Sequence, residues 1–122
     1  MKEKAILIIT DEENVAGNYV RVFLKDNGYR AVYCTHSEFL EYINNIGQPK
    51  AVFLVIDHFN IGTRILYQKL RNLHPKTPTI FLKDWGLALE IEETDVVKIF
   101  VKYRDRLSQC LEVLISMCRN AV

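Results

Sequence analysis

Four apolar runs of this sequence each lead into side chains that could do chemistry. In chain order these side chains are Thr10-Asp11-Glu12, Asp57, Lys83-Asp84 and Lys102. Carboxylate oxygens suit Mg²⁺, which needs only one or two protein carboxylates besides its waters and a phosphate oxygen. A lysine ammonium nearby can neutralise charge on a transferred phosphoryl group. The alternative is a set of solvated strand ends with some salt bridging. Four occurrences together favour a functional site.

Asp57 is the first candidate among them. The six residues Ala51–Ile56 that precede it are all apolar, which is typical of a strand covered on both faces in a parallel sheet. In such sheets, ligands and chemistry gather outside the carboxyl ends of the strands. The run alone leaves a second interpretation open, in which Asp57 only caps the next segment or turns the chain.

The elements that must position these residues alternate regularly along the chain. Short apolar runs predict strands, and helical patterns lie between them. The second predicted helix could be capped by Thr35 or Ser37. The fourth is only a weak pattern over Leu87–Ile91. The predicted strands cover 5–9, 30–34, 51–56, 79–82 and 96–101, and the other predicted helices begin near residues 15, 37, 61 and 107. Five strands alternating with about five helices predict an α/β fold with one doubly wound parallel sheet, flavodoxin-like, in the order 2-1-3-4-5. Residues 1–122 are predicted to form a single domain.

Composition narrows the class of protein. The 122 residues are 49% hydrophobic and 25% charged, with a formal net charge of +1. The small net charge argues against direct nucleic-acid binding and against an anionic membrane surface. No apolar run approaches the roughly 20 residues that span a bilayer, so we expect a cytoplasmic location. The three cysteines, Cys34, Cys110 and Cys118, are expected to act as reduced, small apolar residues.

The pattern resembles the receiver domain of two-component response regulators over essentially the whole chain. Ile6–Glu12 looks like the first strand and acidic corner of that family, Asp57 falls at the phosphoacceptor position, and Lys102 matches the lysine after the fifth strand. Receivers take a phosphoryl group from a histidine kinase onto the aspartate, with Mg²⁺ held by the acidic pair. The resemblance therefore implies that Asp11, Glu12 and Asp57 form the metal site. Asp57 would be the nucleophile and Lys102 the counter-charge of the phosphoryl group.

The sequence departs from the family pattern around the phosphoacceptor. Thr10 stands where the first of two acids is usual, although a shift of one residue would make Asp11 and Glu12 the pair. The segment His58–Gly62 lacks the usual Met-Pro-Gly-rich loop and is shorter. Tyr103 replaces the proline that usually follows the lysine, so the cis peptide bond of the family is not expected.

The parts of the family's phosphorylation switch are also changed. Lys83 stands where a threonine or serine normally bonds the phosphoryl oxygen, and Ile99 stands at the position of the aromatic switch residue. The nearest aromatic residue, Phe100, should point to the opposite face of the sheet. An ammonium beside Asp57 would pair with that carboxylate, lower its pKa and replace the hydroxyl that reports phosphorylation.

Three functions remain open at this point, none of them enzymatic. The favoured one is an atypical receiver that acts by protein contact with impaired or absent phosphorylation. The second is a working phosphoacceptor that uses Mg²⁺, and the third is a flavodoxin-like assembly domain outside signalling. Expected partners are a histidine kinase, a downstream regulator or a second copy of the chain. Receivers commonly dimerise through the fourth helix, fifth strand and fifth helix, where Trp85 and Leu87 could be an exposed anchor or part of the core.

Overall fold

The computed structural model describes residues 4–10, 15–56, 61–102 and 104–120, and within these it is a parallel sheet with helices on both faces. The five strands are ordered β2-β1-β3-β4-β5, which confirms the predicted strand order and the doubly wound topology. The strands are β1 (Ile6–Thr10), β2 (Ala31–Tyr33), β3 (Ala51–Ile56), β4 (Thr79–Lys83) and β5 (Val97–Val101).

Four helices accompany the strands in the described residues: α1 (Val15–Asp26), α2 (His36–Glu41), α3 (Ile61–Leu73) and α4 (Leu107–Asn120). Thr35 caps α2, since its side chain accepts from the Glu38 amide at 3.2 Å while the Glu38 carboxylate accepts from the Thr35 amide at 3.0 Å. This reciprocal pair satisfies two amides that a helix start leaves without partners. After Glu41 the helix widens into a π segment, Tyr42–Ile46. None of the described helices is long and apolar enough to cross a membrane.

The sheet separates two apolar layers because side chains alternate along each strand. On one face α1 and α4 pack against residues such as Ile8 and Phe53. On the other face α2 and α3 pack against residues such as Leu7, Leu54 and Phe81. β3 is buried along its whole length, as its uninterrupted apolar run predicted.

The structure corrects the prediction of a short helix over Leu87–Ile91. Residues 84–96, which we call the strap, run from β4 to β5 without a helix. Leu87, Leu89 and Ile91 pack on the α2–α3 side of the core, whereas the residues between them, Ala88 and Glu90, are exposed. An extended chain places every second side chain on one face, while a helix would turn these three away from one another. The alternation of apolar and exposed residues is therefore that of an extended chain, and the weak helical pattern did not predict the structure.

Candidate functional site at the carboxyl ends of the strands

The ends of four strands lie side by side and define the candidate site. Thr10 at the end of β1 is in register with Val55, and Ile56 at the end of β3 is in register with Lys83. Lys83 in turn is in register with Val101 at the end of β5. The strand ends that precede Asp11, Asp57 and Lys102 in the sequence therefore lie at the same end of the sheet, where the carboxyl ends of the strands meet. This confirms the arrangement of strands from which the site was predicted.

The three acids themselves cannot be placed. Asp11, Glu12 and Asp57 lie outside the described residues, and so do His58 and Tyr103. The predicted metal site and the predicted ion pair between Lys83 and Asp57 consequently remain predictions. Within the described ranges, no three histidine, cysteine or acidic side chains come together in a way that could hold a metal ion.

Lys83 is anchored to the first turn of the strap. Its ammonium Nζ donates a 2.5 Å hydrogen bond to the backbone carbonyl of Leu87. The turn that presents this carbonyl is closed by the Leu87 amide, which donates to the Asp84 carbonyl at 3.1 Å. Gly86 has a φ of +90°, a conformation that side chains with a Cβ rarely adopt. Lys83 thus ties the end of β4 to the strap, a contact that a threonine or serine is too short to reproduce.

Lys102 lies beside Lys83 at the carboxyl ends of the strands. Its amide donates to the Lys83 carbonyl at 2.8 Å, which extends the pairing of β4 and β5 by one residue. The Lys102 ammonium is 3.4 Å from Asp84 Oδ1, and its side chain is only 15% exposed. The Lys102 ammonium is thus paired with a carboxylate, which offsets part of the cost of withdrawing its charge from water.

Trp85 stands at the corner of the strap turn and is 81% exposed, whereas Leu87 is half-buried. Of the two roles weighed for this pair, Trp85 therefore has the exposure of an anchor, and Leu87 packs on the core. Exposed tryptophan is unusual on a soluble protein and is enriched in interface hot spots. The strap also carries an ion pair to α3, at 3.6 Å between Arg64 and Glu90, which is too exposed to add much stability.

Ile99 and Phe100 have the orientations that the alternation of β5 predicts. Ile99 packs with the α2–α3 layer of the core, and Phe100 packs with the α1–α4 layer. The aromatic ring therefore lies on the opposite face of the sheet from Lys83, which by alternation follows Phe81 towards the α2–α3 layer. As predicted, Phe100 therefore points away from the face of Ile99, the position at which the resemblance places an aromatic residue.

Two carboxylates for which the sequence predicted no role close the outer edge of β5. The Ile99 amide donates to Glu93 Oε1 at 2.9 Å, and the Val101 amide donates to Asp105 Oδ2 at 2.8 Å. The hydrogen bond from Val101, followed by one from Arg104, holds the pKa of the Asp105 carboxyl below its ordinary value. An acid on each side of a predicted edge strand was the signal in the sequence. Edge strands commonly need such protection.

The cysteines fit the structural role that was expected of them. All three are free thiols, and Cys110 and Cys118 are buried in the α1–α4 layer. Burial raises the pKa of each of the three thiols to about 11. Since the thiolate is the reactive form, these cysteines are poor nucleophiles and poor metal ligands at neutral pH.

Comparison with solved structures identifies the fold. A response regulator receiver protein from Sinorhizobium medicae WSM419 superposes with a TM-score of 0.75 at 14% identity, with 98% of each chain covered. FixJ-N gives 0.74 at 17% identity, covering 100% of this chain and 98% of its own. A response regulator receiver domain from Clostridium thermocellum gives 0.71 at 18% identity, covering 97% of this chain and 95% of its own.

These similarities extend over nearly the whole of both chains. They define first a flavodoxin-like, doubly wound domain. More particularly, the chain has the fold of the response-regulator receiver domains, which confirms the resemblance for the fold. No protein-family model and no curated protein matches the sequence.

Proposed function

We propose that the chain is an atypical receiver module of signal transduction, not an enzyme, which acts through protein contacts with impaired or absent switching at Asp57. The bond from the Lys83 ammonium to the Leu87 carbonyl is the observation that carries this proposal. In a receiver, phosphorylation is reported by a hydroxyl that moves towards the phosphoryl group. Here a cation occupies that position and is already bonded to the segment that would have to respond.

The aromatic half of the switch supports the same conclusion. Ile99 has no ring with which to follow a moving hydroxyl, and Phe100 packs on the opposite layer. The strap replaces a helix between β4 and β5 and is fixed by apolar contacts of Leu87, Leu89 and Ile91. A surface held in one conformation can still bind a partner, but it has lost the means by which phosphate would select a second conformation.

The proposed contact surface comprises the strap, β5 and α4, with Trp85 as its exposed anchor. It corresponds to the face that receivers use for dimers and partners, although its helix is replaced by extended chain. We propose a protein partner there: a cognate histidine kinase, a downstream regulator or a second copy of the chain, in the cytoplasm. The formal net charge of +1 gives this surface no general attraction for nucleic acid or an anionic membrane.

A second candidate is a working phosphoacceptor with Mg²⁺ at Asp11, Glu12 and Asp57. The Lys102 side chain, which is 15% exposed, favours it, because by the resemblance a lysine at this position supplies the counter-charge of the phosphoryl group. The predicted metal ligands are all carboxylates, the ligand type that Mg²⁺ prefers. The third reading, assembly outside signalling, gains no support from the receiver proteins with which the fold compares.

Beryllofluoride with Mg²⁺ separates the two candidates. We expect millimolar reagent to leave the amide spectrum of the wild-type protein unchanged, and Lys83→Thr to produce a saturable response at the carboxyl ends of the strands. The reason is that threonine restores the hydroxyl and frees the strap turn. Lys98→Thr is the matched control, since it removes a lysine of β5 that does not follow a strand end.

A saturable response of the wild type that Asp57→Asn abolishes would refute the proposal and establish the phosphoacceptor. Acetyl phosphate with Mg²⁺ gives an independent check by intact mass. We expect no phosphorylated species in the wild type, and any species that forms in Lys83→Thr should be absent from the double variant with Asp57→Asn.

A further inference from the structure

The two outer strands of the sheet differ in how their edges are protected. At β5, Glu93 and Asp105 accept the outward amides of Ile99 and Val101. At β2, the Ile6 amide donates to the Arg30 carbonyl and the Cys34 amide donates to the Ile8 carbonyl. Hydrogen-bonding groups alternate along a strand, so the amides and carbonyls of Ala31 and Tyr33 face away from β1. The edge of β2 therefore offers strand-pairing groups.

The edge of β2 borders a groove of about 670 Å³ with a one-sided charge. Its lining consists of Arg21, Lys25, Gly28, Tyr29, Arg30, Ala31, Val32 and Tyr33. Three of these residues are cations, and no carboxylate is among the described residues that line the groove. Arg21 and Lys25 are one helical turn apart on α1, so both can face the same groove. Arg30 adds a third exposed cation directly before β2.

Tyr33, which lines this groove, carries an unsatisfied polar group of its own. Its hydroxyl is buried, and no described residue forms a hydrogen bond with it. Burial raises the pKa of Tyr33, and the nearby Arg21 guanidinium opposes that effect. The buried hydroxyl is not accessible to a ligand, so the groove offers its cations and the main-chain groups of β2 for recognition.

We propose that the edge of β2 is a docking site for an acidic peptide segment, which binds in extended form as an additional parallel or antiparallel strand. Main-chain hydrogen bonds to Ala31 and Tyr33 would give affinity, as in other cases of strand addition. Acidic side chains on the peptide would be selected by Arg21, Lys25 and Arg30. An extended peptide fits better than a nucleic acid because a phosphate backbone cannot pair with a strand edge.

This surface is separate from the proposed contact surface of the strap, β5 and α4. The two lie at opposite edges of the sheet, since β2 and β5 are its outermost strands. Peptide binding at β2 does not depend on the state of Asp57 and is compatible with either candidate function.

The test uses a labelled peptide of about six residues, which matches a typical strand, with alternating glutamate and valine. We expect saturable binding in fluorescence anisotropy and the largest amide shifts at Ala31 and Tyr33. Arg21→Glu and Arg30→Glu should each weaken binding by roughly tenfold, because each places a like charge against the peptide. Lys69→Glu, an exposed lysine of α3, is the control and should leave binding unchanged.

Three probes decide the mode of binding. A peptide with proline at its centre should bind at least tenfold more weakly, since proline removes a main-chain donor. A peptide with lysine in place of glutamate should not bind. Oligothymidylate should not displace the acidic peptide.

The proposal is overturned by any of three results. One is no binding of the acidic peptide at millimolar concentration, and another is equal binding of the proline peptide. The third is equal competition by oligothymidylate, which would indicate a general polyanion surface. The amide spectrum of each charge-reversal variant shows whether it is folded, and Arg21→Gln with Arg30→Gln provides a milder pair if either reversal unfolds the chain.

Discussion

Single side chains connect neighbouring elements of this fold, and Arg71 is the clearest example. From the end of α3 its guanidinium donates to the carbonyls of Pro75 and Thr77, at 3.1 and 2.6 Å, and to Thr79 Oγ1 at 2.7 Å. It also lies over the ring of Tyr67, 5.6 Å from the centroid. Burial lowers the pKa of Arg71, in keeping with a cation that is partly withdrawn from water. This residue fixes the connection that leads from α3 into β4.

Arg71→Met should therefore lower the free energy of unfolding by about 2–3 kcal/mol, because it removes a charged donor from two carbonyls and one hydroxyl. Lys69→Met is the matched control, since Lys69 is exposed on the same helix, and its effect should stay within about 0.5 kcal/mol. Urea denaturation followed by circular dichroism measures both. Equal stability of the Arg71→Met variant and the wild type would contradict the structural role of these bonds.

The sequence predicted which side chains follow the strands, but not what each one contacts. Asp57 and Lys102 were assigned because an apolar run marks a buried strand and the following residue must stand at its end. The partner of Lys83 was not predictable, because the Leu87 carbonyl is brought to it by a turn that depends on the conformation of Gly86. Backbone acceptors have no signature in a sequence.

At the scale of elements, the strands and the amphipathic helices were predictable and the strap was not. Thr35, as a candidate cap, predicted the start of α2, and continuous apolar runs predicted β1 and β3, because each signal is local. The strap holds three apolar residues at a spacing of two over so short a segment that a weak helix was equally plausible. Packing on the α2–α3 layer decides between them, and that contact is formed by residues distant in sequence.

Aspartate substitutions along the strap test its extended conformation. Leu89→Asp should lower the free energy of unfolding by about 1–3 kcal/mol, since it places a charge against the core layer. Ala88→Asp should change it by less than about 0.5 kcal/mol, because Ala88 is exposed. Thermal denaturation of the two variants gives the comparison. A larger loss for Ala88→Asp than for Leu89→Asp would show that the strap presents the other face to the core.

At the scale of the whole molecule, the sheet has one capped edge and one edge that is left to pair. At β5, carboxylates accept the outward amides and so hinder pairing with another strand. β2 is only three residues long and lies beside cations, which limits pairing there. Capping by the Asp105 carboxylate also makes the stability of the fold depend on pH.

The ionisation of Asp105 determines how the stability of the fold changes with pH. Its folded-state pKa is lowered, first by the hydrogen bond from the Val101 amide, so the ionised form stabilises the fold. This contribution is fully present above the unfolded pKa of about 3.9 and is lost as the pH falls through the lowered folded value. Asp105→Asn should therefore have a lower melting temperature than the wild type at pH 7, and the difference should narrow towards pH 2. Differential scanning calorimetry across this range measures it, with Asp95→Asn, an exposed position of the strap, as the charge-matched control. A constant difference between Asp105→Asn and the wild type from pH 7 to pH 2 would show that the carboxylate does not stabilise the edge through its charge.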